Sequence, residues 1–149
     1  MSVATDITIQ HWSGSEQAAV VERSARAGVM APLHRRDEAE TYQVIEGEVT
    51  FFVDDAVVTA GPGDIVVASP GAQRTFRAES DARLIVLTRV NSIDRYVDFG
   101  RAVAPPLPSS TSEWPSADEL TTLASIAAAN DIELLGPPGA LPEVRRRAA

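Results

Sequence analysis

The sequence predicts an all-β protein, a sandwich or barrel of short antiparallel strands. Three observations carry that expectation. Runs rich in Val, Ile, Thr, Tyr and Phe recur at near-regular spacing, over 41–45, 49–53, 56–59, 65–68 and 82–90. Turn chemistry separates them: Glu46-Gly47, Asp54-Asp55, Gly61-Pro62-Gly63-Asp64 and Ser69-Pro70-Gly71. No helical stretch alternates with these strands, so the crossover connections of a parallel sheet are missing.

The elements follow in chain order. Residues 7–12 alternate weakly and 18–21 are a short apolar run, and both fit opening strands. Residues 28–32 carry glycine and proline, which reads as a bend into an extended segment. Glu46-Gly47 between two β-rich runs is a hairpin signal. Residues 74–77 are extended, and ARLIVLTRV over 82–90 is the longest apolar strand, expected at the centre of a sheet. Beyond Val90 the character changes. Ile93, Tyr96 and Val97 fall at helical spacing within 92–103. Residues 104–114 are rich in Pro and Ser and read as an arm, with Trp114 as an anchor that docks it. Ser116 and Glu119 form a capping box, and Leu120, Leu123, Ile126 and Ala127 make an apolar stripe, which predicts a helix over about 116–130 with the stripe buried. Asn130 stops it. Residues 131–135 are extended, and Gly136-Pro137-Pro138-Gly139 is expected to end the ordered structure, leaving Arg145, Arg146 and Arg147 on a solvated tail. The expected organisation is a β domain over 1–104 and an arm, helix and tail over 105–149.

Composition narrows the function classes. At 149 residues the chain is long enough to bury a core without a staple. It has no cysteine, which removes disulfides, thiolate metal sites and a Cys nucleophile. A formal charge of −8 argues against a nucleic-acid partner, because phosphate binding needs a cationic face. No apolar run reaches the roughly 18 residues of a membrane span. The start, MSVATDITIQHW, lacks a basic and then apolar leader, so the cytoplasm is the expected location. There is no G-x-S-x-G, no P-loop and no G-x-G-x-x-G.

The residues with chemistry lie in two stretches. The first, GVMAPLHRRDEAETYQVIEG over 28–47, contains His34, Arg36 and Glu40. The second, GDIVVASPGAQRTFRA over 63–78, contains Arg74 and Phe76. In an extended strand alternate residues share a face, so His34 and Arg36 point together, as do Glu40 and Tyr42, and Arg74 and Phe76.

These two stretches resemble the paired motifs of the cupin family, G-x5-H-x-H-x3,4-E-x6-G and G-D…P-G…H. Gly28, His34, Glu40 and Gly47 stand at the spacings of the first. Gly63, Asp64, Pro70 and Gly71 fit the second. Arg36 stands where the first motif has its second His, Arg74 where the second motif has its His, and Ala78 where an Asn often follows. The resemblance covers about 28–90 and is nearest to single-domain bacterial cupins of the quercetin-dioxygenase-like group. It implies a double-stranded β-helix, a jelly-roll barrel, with a short C-terminal helical extension. It also implies that the faces named above line the inside of the barrel. Cupin metal sites use three His and one Glu. Only His34 and Glu40 remain here, and His11 lies outside both motifs.

Arginine cannot ligate a metal, since its guanidinium stays protonated. The expectation is therefore a barrel without a cofactor, binding a small anionic or polyoxygenated organic molecule. In that reading Arg36 and Arg74 hold the ligand's negative charge, and Tyr42 and Phe76 contact a flat body. His34 and Glu40 act as acid and base in a non-redox isomerisation, cyclisation or proton transfer. In the same reading Arg74→Ala weakens ligand binding with little loss of stability. Two other readings stand beside it. One is a metal-dependent dioxygenase with a depleted shell, holding its metal through His34 and Glu40. The other is a non-catalytic sensor or assembly protein whose barrel merely binds a ligand. Against a shared pocket stands a plain structural outcome, an internal Arg36–Glu40 ion pair with Arg74 pointing to solvent. Residues 104–115 crossing to a neighbour, together with open sheet edges that need covering, predict a homodimer.

Overall fold

The computed structural model describes residues 7–12, 18–89, 125, 127–128 and 131–143. Ten strands form two antiparallel sheets: β1 (Ile7–Trp12), β2 (Ala18–Ala25), β3 (Pro32–Arg36), β4 (Glu40–Glu46), β5 (Val49–Val53), β6 (Ala56–Ala60), β7 (Ile65–Ala68), β8 (Gln73–Ala78), β9 (Ala82–Arg89) and β10 (Ile132–Pro138). One sheet runs β1-β2-β9-β4-β7 and the other β10-β3-β8-β5-β6. β9 is interior to its sheet, as its apolar run predicts. The jelly roll of the sequence-based expectation is the observed fold. The turns behave as their residues require. Gly47 has φ 79°, and a Cβ there would run into the Asp81 carbonyl, so only glycine closes this hairpin. Asp64 accepts from the Gly61 N–H and closes the turn between β6 and β7.

β10 changes the expectation for the C-terminal part. Gly136, Pro137 and Pro138 continue a strand that pairs with β3 and places Leu134 against His34 and Ile132 against Arg36. The proline pair is tolerated because β10 is an edge strand and its register shifts between Leu134 and Gly136 and again before Pro138. An exposed Arg35–Glu133 bridge of 2.7 Å joins the same two strands. Ser125, Ala127 and Ala128 are helical and Ala127 is fully buried. Asp131, at φ 56°, follows them and donates its N–H to the Ala128 carbonyl. The rest of the expected 116–130 helix, with Leu120, Leu123 and Ile126, lies outside the described residues. So do 92–103, the 104–114 arm with Trp114, and the three terminal arginines.

The register stacks the interior in layers. A polar layer holds His34 and Arg74, directly paired, with Val53 and Ala56 in the same row, facing Glu40 and Thr88 of the other sheet. Beneath it is an aromatic layer: Phe76, Phe51 and Val58 from one sheet, Tyr42, Val66 and Val86 from the other. Ring centroids of Tyr42, Phe51 and Phe76 lie 5.1–6.4 Å apart, so the rings bridge the sheets. Val49, Ala60, Ala78, Val44 and Leu84 close the core below.

Candidate functional site

The Glu40 carboxylate is the centre of the polar layer. β4 presents Glu40 and Tyr42 on one face. β3 presents His34 and Arg36, and β8 presents Arg74, so the cluster spans both sheets. Oε1 of Glu40 accepts from Arg74 Nη1 at 2.9 Å and from the Tyr42 hydroxyl at 3.0 Å. His34 Nε2 lies 3.5 Å from the same oxygen, and Arg36 Nη1 lies 3.6 Å from Oε2. Burial alone would push the Glu40 carboxyl up. The hydrogen bond and charge of His34 when its ring is protonated, with the positive charges of Arg36 and Arg74, outweigh it and hold the group well below the usual carboxylate range. Glu40 is therefore an anion at any ordinary pH.

The two arginines also bind the frame. Arg74 donates from Nε to the Ala72 carbonyl at 3.1 Å, and from Nη1 to the Glu38 carbonyl at 3.2 Å as well as to Glu40. From Nη2 it donates to the carbonyls of Ser69 at 2.7 Å and Arg36 at 3.4 Å. All five N–H groups of this fully buried guanidinium thus meet a protein oxygen. One side chain ties the turn after β3 to the turn before β8. Arg36 crosses between the sheets, donating to Thr88 Oγ1 at 3.0 Å and to the Arg89 carbonyl at 2.5 Å. Thr88 in turn donates to the Ala39 carbonyl.

His34 is the member of this cluster with water access, its side chain 12% exposed where Glu40, Arg36 and Arg74 are each 4% or less. Its Nδ1 donates to the Pro32 carbonyl at 3.0 Å, because a carbonyl can only accept. That bond fixes the ring and aims Nε2 toward Glu40.

The structure thus brings His34, Arg36, Glu40, Tyr42 and Arg74 together. Phe76 lies one layer down, against Tyr42 and Phe51, with the Arg23 guanidinium 5.3 Å over its ring. Thr88 was not anticipated. Its signal is a polar residue at the inward parity of β9, after Leu84 and Val86.

Residues 21–89 match the Cupin_2 family, described as Cupin domain. The fold is of the cupin type. The solved structures it resembles include a cupin superfamily protein from Desulfitobacterium hafniense, at 13% identity, covering 58% of this chain and 80% of that one, with a TM-score of 0.51. Another is the DMSP lyase DddQ from Ruegeria pomeroyi, at 24% identity, covering 58% and 47%, with a TM-score of 0.51. An RmlC-like cupin from Desulfovibrio desulfuricans is 28% identical, covering 58% and 88%, with a TM-score of 0.48. No curated protein matches the chain.

The cupin metal centre takes three imidazoles and a carboxylate, and the residues here do not fit it. Beside the Glu40 carboxylate stand one imidazole, that of His34, and two guanidinium groups with no lone pair to give. Among the described residues no three His, Cys, Asp or Glu side chains gather.

Proposed function

We propose that this cupin binds a small organic molecule without a metal and carries out, or prepares for, a non-redox proton transfer at His34. The observation that supports this reading is the division of labour around Glu40. Arg74 spends every donor on the protein and Arg36 spans the sheets, so the arginines take the place of a metal as fixed positive charge. His34 keeps contact with water.

The roles differ from a paired acid and base. Glu40, held as an anion, is not a proton donor. It balances charge that arrives on the ring and accepts Nε2–H once the ring is protonated, while the Pro32 carbonyl orients the ring. With Nδ1–H given to Pro32, Nε2 of the neutral ring carries a lone pair. A ligand C–H or O–H proton moves to Nε2, the bonding pair stays on the ligand as an enolate-type anion, and the imidazolium sits beside Glu40. Return of the proton to another atom of the same ligand completes an isomerisation with no co-reactant. The ligand's developing charge is met by His34, and the arginines act through Glu40.

The test combines two measurements on protein purified without added metal. Mass spectrometry of molecules released on denaturation should find an organic ligand in the wild type and less of it in His34→Ala. Elemental analysis should find only traces of transition metal. Stoichiometric iron, manganese, nickel, copper or zinc would overturn the reading, as would equal ligand release from the His34 variant.

A further inference from the structure

The inward faces of the barrel are buried almost everywhere, but not along β6. Ala56, Val58 and Ala60 alternate on one face, and pairing of Phe51 with Val58 and of Val49 with Ala60 makes it the inner face. Ala60 is 1% exposed, Val58 is 42% exposed, and Ala56 is exposed as well. On the facing strand, inward Val66 is only partly buried. β6 and β7 are the last strands of their respective sheets, with no ladder between them. They are joined at one end by the 61–64 turn, next to buried Ala60. The two edges therefore part beyond that turn and leave the inner side chains of Val58 and Ala56 exposed, with Tyr42, Phe51 and Ala68 buried behind them.

The opening has a definite chemistry. β6 reads AVVTA and β7 reads IVVA, so neither strand carries a charge. Behind them stand the rings of Tyr42 and Phe51, 5.1 Å apart. The Tyr42 hydroxyl is spent on Glu40, which leads from the rings into the polar layer. Going inward, an entering molecule meets aliphatic side chains, then ring faces, then the ion cluster.

We propose that the divergence between β6 and β7 is a ligand entrance that takes a flat, uncharged aromatic or apolar body between Val58 and Val66, with its anionic or hydrogen-bonding end leading toward the polar layer. This deepens the reading of the site given above and rests on it for the polar end. It does not rest on it for the cleft, which follows from register and exposure.

The probe is 8-anilinonaphthalene-1-sulfonate, a flat aromatic anion, titrated by fluorescence into the full chain. Val58→Asp sets a charge on the inner face of the opening. Val57→Asp sets the same charge one residue away on the outer face, where Val57 is 64% exposed. Circular dichroism and thermal melts check that each variant folds, and Val58→Thr gives a milder change at the same site. Saturable dye binding should weaken roughly tenfold or more in Val58→Asp, the scale expected when a charge must be buried against an apolar ligand. It should fall less in Val58→Thr and stay unchanged in Val57→Asp. Equal effects of the two Asp variants, or none from either, would overturn the entrance. So would a dye-silent wild type whose light-scattering mass drops only in the Asp variants, since a second copy then covers the cleft. His34→Ala separates the two readings: dye lost through Val58→Asp but kept in His34→Ala leaves the entrance standing without its polar end.

Discussion

The two seams between the sheets are built in opposite ways. Around Glu40 the seam is crossed by charge: Arg74 to Glu40, Arg36 to Thr88 and to the Arg89 carbonyl, with His34 alongside. At β6 and β7 the described residues form no ladder across the gap, and the side chains are Val, Ile, Ala and Thr. Apolar contact usually closes a core, yet here the apolar seam is the open one. Directional bonds hold the polar seam at fixed distances, whereas apolar contact holds only where there is enough of it, and two short edge strands supply little.

Four predictions probe that contrast. The largest effect is expected from Arg74→Ala. Removing this guanidinium leaves the Glu40 carboxylate and four carbonyls short of a donor in the interior, so urea unfolding should show a loss of about 3–5 kcal/mol, as for one half of a buried ion pair. Arg74→Lys should recover part of it, keeping the charge without the fork. A loss within experimental error would mean the polar seam is not held by its charges. The sequence-based expectation was the reverse, ligand loss with little change in stability, and what reverses it is the number of protein oxygens on Arg74.

Acid comes next. The native Glu40 carboxyl titrates below its unfolded value of about 4.3, so its contribution is fully present above that pH and is lost as pH falls below it toward the native value. The urea midpoint should drop between pH 7 and pH 3.5. Glu40→Gln should be less stable at pH 7 and flatter over the same interval; an equally steep variant would assign the acid sensitivity elsewhere. Smaller still, Tyr42→Phe removes one hydroxyl bond to Glu40 and should cost about 1 kcal/mol. The open seam supplies the control: Val57→Asp should stay within about 0.5 kcal/mol of wild type.

Much of the fold was legible because the turns announce themselves. Gly47, Asp54, Gly63 and Gly71 all adopt positive φ at predicted turns. The inward aim of His34, Arg36, Glu40 and Arg74 was legible too, from strand parity and motif spacing. What Arg74 binds was not, because its partners beyond Glu40 are main-chain carbonyls, and a carbonyl looks the same at every residue. β10 was misjudged at Gly136-Pro137-Pro138 because proline is a poor strand former wherever its N–H is needed, and the sequence does not say which strand is an edge. The opening at Val58 left no trace either: an apolar residue on the inner face reads the same whether its neighbour closes over it or not.

Leu134 pairs with His34 across a hundred residues of chain. On a ribosome, β3 and β8 emerge well before β10, and among the described strands the free side of β3 has no neighbour until Ile132 through Pro138 have been made. The strand that carries His34 then waits as a bare edge while the residues up to 132 are made, and Ile132–Pro138 cover it. Ribosome-stalled chains ending before residue 132 should thus expose β3 to chaperones, and completion of the His34 environment is delayed by sequence separation more than by local strength.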